Sequence, residues 1–449
     1  PFLKSPLFIL LLFWGITLAA YYPTAGAGFV TDTLGWFASY QKYGWKGIAF
    51  AFGDHSLHYV YHFFGFLLYK IFGWNSYGWY AAFTLLHASV GALGYFLIIR
   101  LLSAVNISYG TGIAFNSSML FLLSPYQTEV LVWYACSHYL LCSILVLLAM
   151  HSFLNYLEEQ KPQNLLWFYT CFMLSVFTLE ISFCFPLFVG AFIALAPHSI
   201  IGLQKRVKLS ALFVAPAIAM VVVYFLLSKF LKGNTAGHYG TAVHFNLSPA
   251  LLAGNFSKYC LKLWGLSQFY AHSLRMQFYN FFEKPFFLYI FISLSTSILA
   301  MLVAMKSKLN DSLRLLLLFF AGFIFALAPV VNLYFTSIIR IEGDRFSYLP
   351  SLFAYATLTF AAFAIFRKAA YPVLAIYLLI NVYCLQKNIG AWHNNREVSL
   401  SLQDDFKWND APHIDILNLP DNFDGAYMFR GLPPDNFFAK TIDLKYGKQ

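Results

Sequence analysis

Long apolar runs, each closed by lysine, arginine, proline or glycine, dominate the chain. A membrane-spanning helix needs about 20 consecutive apolar residues. The runs predict eleven crossings, near residues 5–22, 77–100, 111–124, 138–156, 165–178, 181–197, 209–229, 285–305, 315–333, 349–366 and 370–386. Stretches such as LLLLFFAGFIFALAPVV do not alternate between polar and apolar residues, which excludes an outer-membrane β-barrel. The pattern therefore predicts an all-α polytopic membrane protein.

Composition supports the same class. Of the 449 residues, 60% are hydrophobic and only 11% are charged, whereas about 25% charged residues is usual in soluble domains. The net charge of +10 lies in loops without a long basic tract, so nucleic acid is not an expected partner and anionic lipid head groups or phosphates are. Six cysteines without a CxxC spacing indicate neither a disulfide framework nor a zinc site.

Short basic connections predict the orientation, because cytoplasmic loops are enriched in lysine and arginine. Residues 124–137 contain neither residue type. With the first apolar run retained as a helix, the N-terminus is expected in the cytoplasm and the C-terminus outside, in the inner or plasma membrane if the protein is bacterial. The residues behind this expectation are Lys205, Arg206, Lys208, Lys306, Lys308, Arg314, Arg367 and Lys368.

The expected organisation is a transmembrane domain over residues 1–386 and a small extracytoplasmic tail over 387–449. Two long outer loops, 23–76 and 230–284, are expected to carry function. Each contains an apolar segment with charged residues, HYVYHFFGFLLYKIFG and ALLAGNFSKYCLKLWGL. Lys258 and Lys262 lie four residues apart in the second segment, and both segments are predicted as interfacial helices that line the outer membrane surface.

Ionisable residues near the ends of the spans are the candidates for chemistry, because charge at bilayer depth is costly. By the predicted topology they all lie at the outer face. A carboxylate held there can act as a general base, and an arginine presents a planar fork to phosphate. This combination suggests transfer from a phosphorylated lipid. The candidates are Asp32, Asp54, His55, Glu129, Glu180, Asp344 and Arg345.

Structural roles are open for several of the same residues. Asp32 could cap the following helix, with Thr31 or Thr33 assisting, and Arg345 could anchor the chain at the interface. Glu129 and Glu180 could pair with polar neighbours inside the bundle. Four histidines are expected to be structural, so we predict no metal site. These histidines are His55, His58, His62 and His87.

The order of the segments resembles that of the GT-C glycosyltransferases. The similarity is greatest to the protein O-mannosyltransferases and to the transmembrane O-mannosyltransferases that precede tetratricopeptide repeats. AGFVTDTLGW and the segment from HYVYHFFGF to LIIRLL resemble the first outer loop and second helix of that family. SPYQTEVLVWYACSHYLL, LEISFCFPL, GDRFSYLPSL and AWHNNREVSL follow in the family's order, from about residue 28 to residue 402.

The resemblance implies a GT-C-like bundle that moves a sugar, with inversion, from a polyprenyl-phosphate carrier to a protein or glycan acceptor outside the cytoplasm. It implies Asp32 as the base, and Arg345 with Tyr348 as the site of the lipid phosphate. Glu129, His58, Glu180 and Asp344 are supporting residues. No cofactor is expected, because the lipid-linked sugar is the substrate.

The chain departs from the family's pattern at three of these motifs. The second of the paired acids is Thr33, the lysine of Lys-Glu is Leu179, and Tyr-Arg-Pro is replaced by residues 57–59. No tetratricopeptide repeat follows. The alternative function is therefore a catalytically inactive GT-C-like scaffold that recruits membrane or extracytoplasmic proteins through its tail. A secondary transporter ranks third, because no inverted repeat is visible.

Overall fold

The structure, a computed structural model, describes residues 5–46, 57–197, 200–233, 247–304, 310–333 and 343–405, together with residues 3, 48, 422, 423, 426 and 427. Over this part the chain is almost entirely helical. The first half contains α1 (Pro6–Tyr21), α2 (Asp32–Tyr43), α3 (Tyr59–Phe72), α4 (Ser76–Ser103), α5 (Gly110–Leu122), α6 (Thr128–Val132), α7 (Ser137–Glu159), α8 (Pro162–Val176) and α9 (Phe185–Leu195).

The second half continues as a bundle with one short strand pair. Its elements are α10 (Leu203–Leu209), α11 (Ala215–Lys232), α12 (Pro249–Gly265), α13 (His272–Phe282), α14 (Pro285–Ala304), α15 (Asp311–Leu327), α16 (Tyr348–Phe366), α17 (Ala370–Asp405), β1 (Asn422–Phe423) and β2 (Ala426–Tyr427). The two strands pair antiparallel. A π-helical turn, Ser210–Val214, joins α10 to α11. The prediction of an all-α polytopic membrane protein is confirmed.

Each of the eleven segments that the apolar runs predicted as crossings contains a helix in its described residues. Five helical stretches in the described residues are long and apolar enough to span a membrane, or six if α13 and α14, which meet at a 70° bend, count as one broken span. Several others are shorter than the roughly 20 residues of a full crossing, such as α5 with 13 residues and α9 with 11. The protein is thus an integral membrane protein, while the count of eleven and the orientation stay predictions.

Small residues bring the central helices close together. Helix α4 packs against α1, α5 and α7, and α16 packs against α5 and α15. A Cβ added at Gly91 would lie 2.8 Å from Leu122, and one added at Gly94 would lie 2.7 Å from Leu352. Close backbone approach through glycine is a common way to pack helices in a bilayer, where apolar side chains gain little by leaving lipid.

The predicted boundary at residues 386/387 lies inside α17, which runs unbroken to Asp405, and the division into a transmembrane domain and an extracytoplasmic tail stays a prediction. One expectation about α12 needs adjustment. Lys258 and Lys262 do not lie on an outer surface: each is only 2% exposed. Their ammonium groups face carboxylates that are distant in sequence, which the local pattern of α12 could not show.

Candidate functional site

Glu129 and Arg345 form a buried ion pair. Glu129 lies in the short helix α6 with no exposed surface, and Arg345 is 8% exposed. The Arg345 backbone amide donates to Glu129 Oε2 at 2.7 Å, and its guanidinium donates to Glu129 Oε1. The guanidinium also lies over the Trp133 ring at 5.2 Å. The carboxylate therefore fixes both the backbone and the side chain of Arg345.

Asp344, the residue before Arg345, pairs with a lysine of α12. Its Oδ1 lies 2.6 Å from Lys262 Nζ and accepts a hydrogen bond of 2.9 Å from Gln268 Nε2. Asp344 Oδ2 is buried without a hydrogen-bond partner in the described residues. Lys262, Asp344, Arg345 and Glu129 together carry two positive and two negative charges. The cluster is therefore neutral overall, as burial requires.

Local backbone geometry explains why adjacent residues reach opposite partners. Gly343 has φ 81°, a conformation that L side chains rarely adopt. It starts the 3₁₀ turn Asp344–Ser347, which leads into α16. Because successive residues of this tight turn point about 120° apart, Asp344 faces α12 while Arg345 faces α6.

Asp32 lies near this cluster but in contact with solvent. It is the first residue of α2 and is exposed. Helix α2 packs against the turn Tyr134–Cys136, which follows Trp133. Burial raises the pKa of the Tyr61 phenol well above its ordinary value, and the Asp32 carboxylate adds to that rise. The helix that begins at Asp32 and the guanidinium of Arg345 therefore lie against neighbouring residues, the turn Tyr134–Cys136 and Trp133.

The start of α2 places Asp32 one residue after the N-cap position. The N-cap position belongs to Thr31, which makes no side-chain capping hydrogen bond. The hydroxyls of Thr31 and Thr33 are buried without hydrogen-bond partners in the described residues. Thr31 also has φ 48°, which costs a β-branched residue on the order of 1–3 kcal/mol and is typical of functional sites.

His58 and Glu180 form a second pair at the start of α3. His58 Nε2 lies 3.0 Å from Glu180 Oε2, with the histidine side chain 1% and the glutamate side chain 20% exposed. The backbone amide of Val60 donates to Phe177 at 3.2 Å in the same region. The pair therefore joins the start of α3 to the turn after α8, so these two candidates meet each other.

Tyr348 is fully buried at the start of α16. Its hydroxyl lies 2.6 Å from His87 Nδ1, and the other ring nitrogen of His87 lies 3.2 Å from the Leu122 carbonyl. His87 thus has the interhelical hydrogen-bonding role that the sequence suggested. The phosphate-binding role of Tyr348 stays a prediction.

Several site residues were missed by the sequence. Lys262 was noticed only as an interfacial residue, Trp133 only as the tryptophan of the segment SPYQTEVLVWYACSHYLL, and Gln268 was not singled out. A signal existed for the lysine, since α12 places it one turn from Lys258 on the face that also carries buried tyrosine. The candidates Asp54 and His55 lie outside the described residues. Within those residues, no group of three or more histidine, cysteine, aspartate or glutamate side chains could hold a metal ion.

Comparisons with known proteins add one weak similarity. No protein-family model and no curated protein matches the chain. Among solved structures, the crystal structure of ArnT from Cupriavidus metallidurans bound to undecaprenyl phosphate is similar over 97% of this chain and 88% of that one. The sequences are 14% identical and the TM-score is 0.37. A similarity at this level does not place the chain in a family.

Proposed function

We propose that the chain is an inverting glycosyltransferase of the GT-C class, which moves a sugar from a polyprenyl-phosphate-linked donor to an extracytoplasmic protein or glycan. One observation carries the proposal. Helix α2, which begins at the exposed Asp32, packs against the turn Tyr134–Cys136, and the buried guanidinium of Arg345 lies over the ring of the adjacent Trp133. A base and a phosphate-binding cation are the two groups that this reaction needs close together.

The chemistry assigns each group a role. Asp32 accepts the proton of the acceptor hydroxyl while the oxygen of that hydroxyl attacks the anomeric carbon from the face opposite the phosphate. The bond from that carbon to the phosphate oxygen breaks, and its electron pair leaves with the polyprenyl phosphate. Arg345 stabilises the negative charge that develops on the departing oxygen. Glu129 holds the guanidinium in place, so Arg345 is pre-organised before the donor binds.

The same proposal includes the partners of the chain and its orientation in the membrane. The donor lipid, an acceptor protein or glycan, and partner proteins bound through the tail are the expected partners, with no nucleic acid and no cofactor. The active face lies outside the cytoplasm, with the N-terminus inside. O-linked transfer, and mannose as the sugar, rest on the resemblance of the sequence motifs alone.

The decisive test is sugar transfer from a polyprenyl-phosphate donor by the purified full chain and its Asp32→Asn variant. Asparagine retains the shape of aspartate but cannot accept the proton, so transfer should fall by about 10²- to 10⁴-fold while the fold is retained. Asp311→Asn is the matched control, because Asp311 is likewise the first residue of a helix. Wild-type rates in Asp32→Asn would exclude Asp32 as the base.

A catalytically inactive scaffold is the second candidate, and the neutral charge cluster favours it. Arg345 is paired with Glu129 and Lys262 with Asp344, an arrangement that also serves to hold α6, α12 and α16 together. Wild-type protein that transfers no sugar from any polyprenyl-phosphate donor, yet co-purifies stably with the same membrane or extracytoplasmic proteins, would support the scaffold and refute the enzyme.

A further inference from the structure

His87 connects two segments of the chain that are distant in sequence. It lies in the middle of α4 and has no exposed surface. Its Nδ1 lies 2.6 Å from the Tyr348 hydroxyl, and its Nε2 lies 3.2 Å from the Leu122 carbonyl. A single buried side chain therefore contacts one polar group from each segment.

The two partners fix which nitrogen of His87 carries the hydrogen. A carbonyl oxygen can only accept, so Nε2 is the donor to Leu122. Among the described residues the ring has a hydroxyl and a carbonyl as partners and no carboxylate, so it is buried in its neutral form, because burying an unpaired charge is costly. A neutral imidazole has one N–H. Nδ1 is therefore an acceptor, and the Tyr348 hydroxyl donates its only hydrogen to it.

Each partner of His87 leads directly to one member of the buried ion pair. Leu122 is the last residue of α5, and the chain continues from it through a short turn to Glu129 in α6. Tyr348 is the first residue of α16 and directly follows the 3₁₀ turn that contains Arg345. Nε2 therefore holds the segment that carries Glu129, and Nδ1 holds the segment that carries Arg345.

Packing fixes the orientation of the His87 ring. Its centroid lies 4.9 Å from that of Phe121 and 5.6 Å from that of Tyr348. The Leu122 carbonyl also accepts from the Tyr21 hydroxyl at 3.3 Å, which ties α1 to the same point. A rotation of the ring away from its two partners would leave buried polar groups unpaired, which is costly.

A second bridge joins the same two segments directly. Gln127 Nε2 donates to Ser351 Oγ at 2.8 Å, and Ser351 Oγ donates to the Tyr348 carbonyl at 2.7 Å. Gln127 and Ser351 are both fully buried. Loss of His87 should therefore loosen the position of the ion pair without separating the two segments.

We propose that His87 is a positioning residue of the lipid-phosphate site, which holds Arg345 in place relative to Glu129 through Tyr348 and Leu122. This inference rests on the proposed function, in which Arg345 stabilises the leaving phosphate. It also gives Tyr348 a role different from the one that the sequence resemblance implies. The hydroxyl hydrogen of Tyr348 goes to His87, so Tyr348 does not donate to the phosphate.

The test is equilibrium binding, without turnover, of a long-chain polyprenyl phosphate to the purified full chain in detergent. His87→Leu removes both hydrogen bonds of the ring and should weaken binding by about 3- to 30-fold. His87→Gln offers both an N–H donor and an acceptor oxygen, so it should bind within about threefold of wild type. Arg345→Gln is the reference variant, because it removes the guanidinium itself.

Double variants separate positioning from other roles. With Arg345→Gln present, His87→Leu should weaken binding little further, because the group that His87 positions is gone. A histidine that only stabilises the fold would weaken binding by the same factor in both backgrounds, and that result would overturn the proposal. Tyr348→Phe should likewise add little to His87→Leu, and an additive loss would show instead that Tyr348 donates to the phosphate. Tyr95→Phe is the matched control, because it removes another buried tyrosine hydroxyl, bonded to Leu3, and should bind as wild type does.

The tautomer of His87 gives a readout that needs no lipid. In protein with isotope-labelled histidine, the His87 signals in nitrogen NMR spectra are those that disappear in His87→Gln. They should show a neutral ring with its hydrogen on Nε2, and Tyr348→Phe should shift the Nδ1 signal, because that nitrogen loses its hydrogen bond. A ring with its hydrogen on Nδ1, or on both nitrogens, would overturn the proposal whether or not the chain is an enzyme.

The outcomes for the two proposals differ. If Arg345→Gln weakens binding and His87→Leu does not, the role of His87 is refuted while the proposed transferase stands. If binding depends on His87 and Arg345 together but wild type transfers no sugar from any donor, only the transferase fails. If wild type binds no polyprenyl phosphate, both fail.

Discussion

Removal of the Lys262 ammonium by Lys262→Met should be among the most damaging single changes in the protein. Lys262 is 2% exposed and Asp344 is fully buried, and methionine retains much of the apolar volume of the lysine side chain. At 2.6 Å separation, two unit charges attract with about 6 kcal/mol gross at an effective dielectric constant of about 20. In the wild type, the free-energy cost of desolvating the two charges offsets much of this attraction. In Lys262→Met the cost of desolvating Asp344 remains, but the attraction to the ammonium is lost. We expect a loss of about 3–5 kcal/mol in unfolding free energy.

The assay is reversible unfolding of the purified protein in mixed micelles of increasing SDS fraction. The double variant Lys262→Met with Asp344→Leu removes both charges and should recover most of the loss, because a buried pair and an apolar pair of similar volume are close in stability. The double-mutant cycle should therefore give a strong favourable coupling between the two residues. A loss below about 1 kcal/mol for Lys262→Met, or a double variant as unstable as the two single changes added, would refute the reasoning.

Three further predictions follow from other features. Gly94→Ala should destabilise the protein by about 1–3 kcal/mol, because the new methyl group would meet Leu352, whereas Gly15→Ala, with open space around it, should not; SDS unfolding measures both. Arg345→Lys should reduce sugar transfer by at least about tenfold in the donor assay, since a point charge does not reproduce the fork that Glu129 holds. Thiol labelling of cysteines introduced at exposed positions in α2 and in the C-terminal tail should occur from the outside only, and cytoplasmic labelling of the tail would refute the predicted orientation.

The helical architecture could be predicted because each membrane helix can be recognised from its own stretch of sequence. Apolar runs of the required length are visible without any knowledge of their neighbours, and all eleven segments became helices. The interfacial segment of α12 shows the limit of this reasoning. Its lysines look like surface residues, but Glu283 and Asp344, which decide their orientation, lie far along the chain.

The candidate site could be predicted only in part, for the same reason. Glu129 and Arg345 stood out as costly charges, yet their pairing depends on how α6 meets the turn before α16, which no local pattern encodes.

The length of α17 has a mechanical consequence. Its 36 residues extend about 54 Å at 1.5 Å per residue, well beyond a hydrocarbon core of about 30 Å. Asn388 donates to the Pro125 carbonyl and Arg396 donates to the Gly26 carbonyl, so the second half of α17 is fastened at two points to the chain ahead of α6 and ahead of α2. A truncation of α17 before Arg396 would therefore remove one of these two hydrogen bonds and release the segment that leads from Gly26 to Asp32.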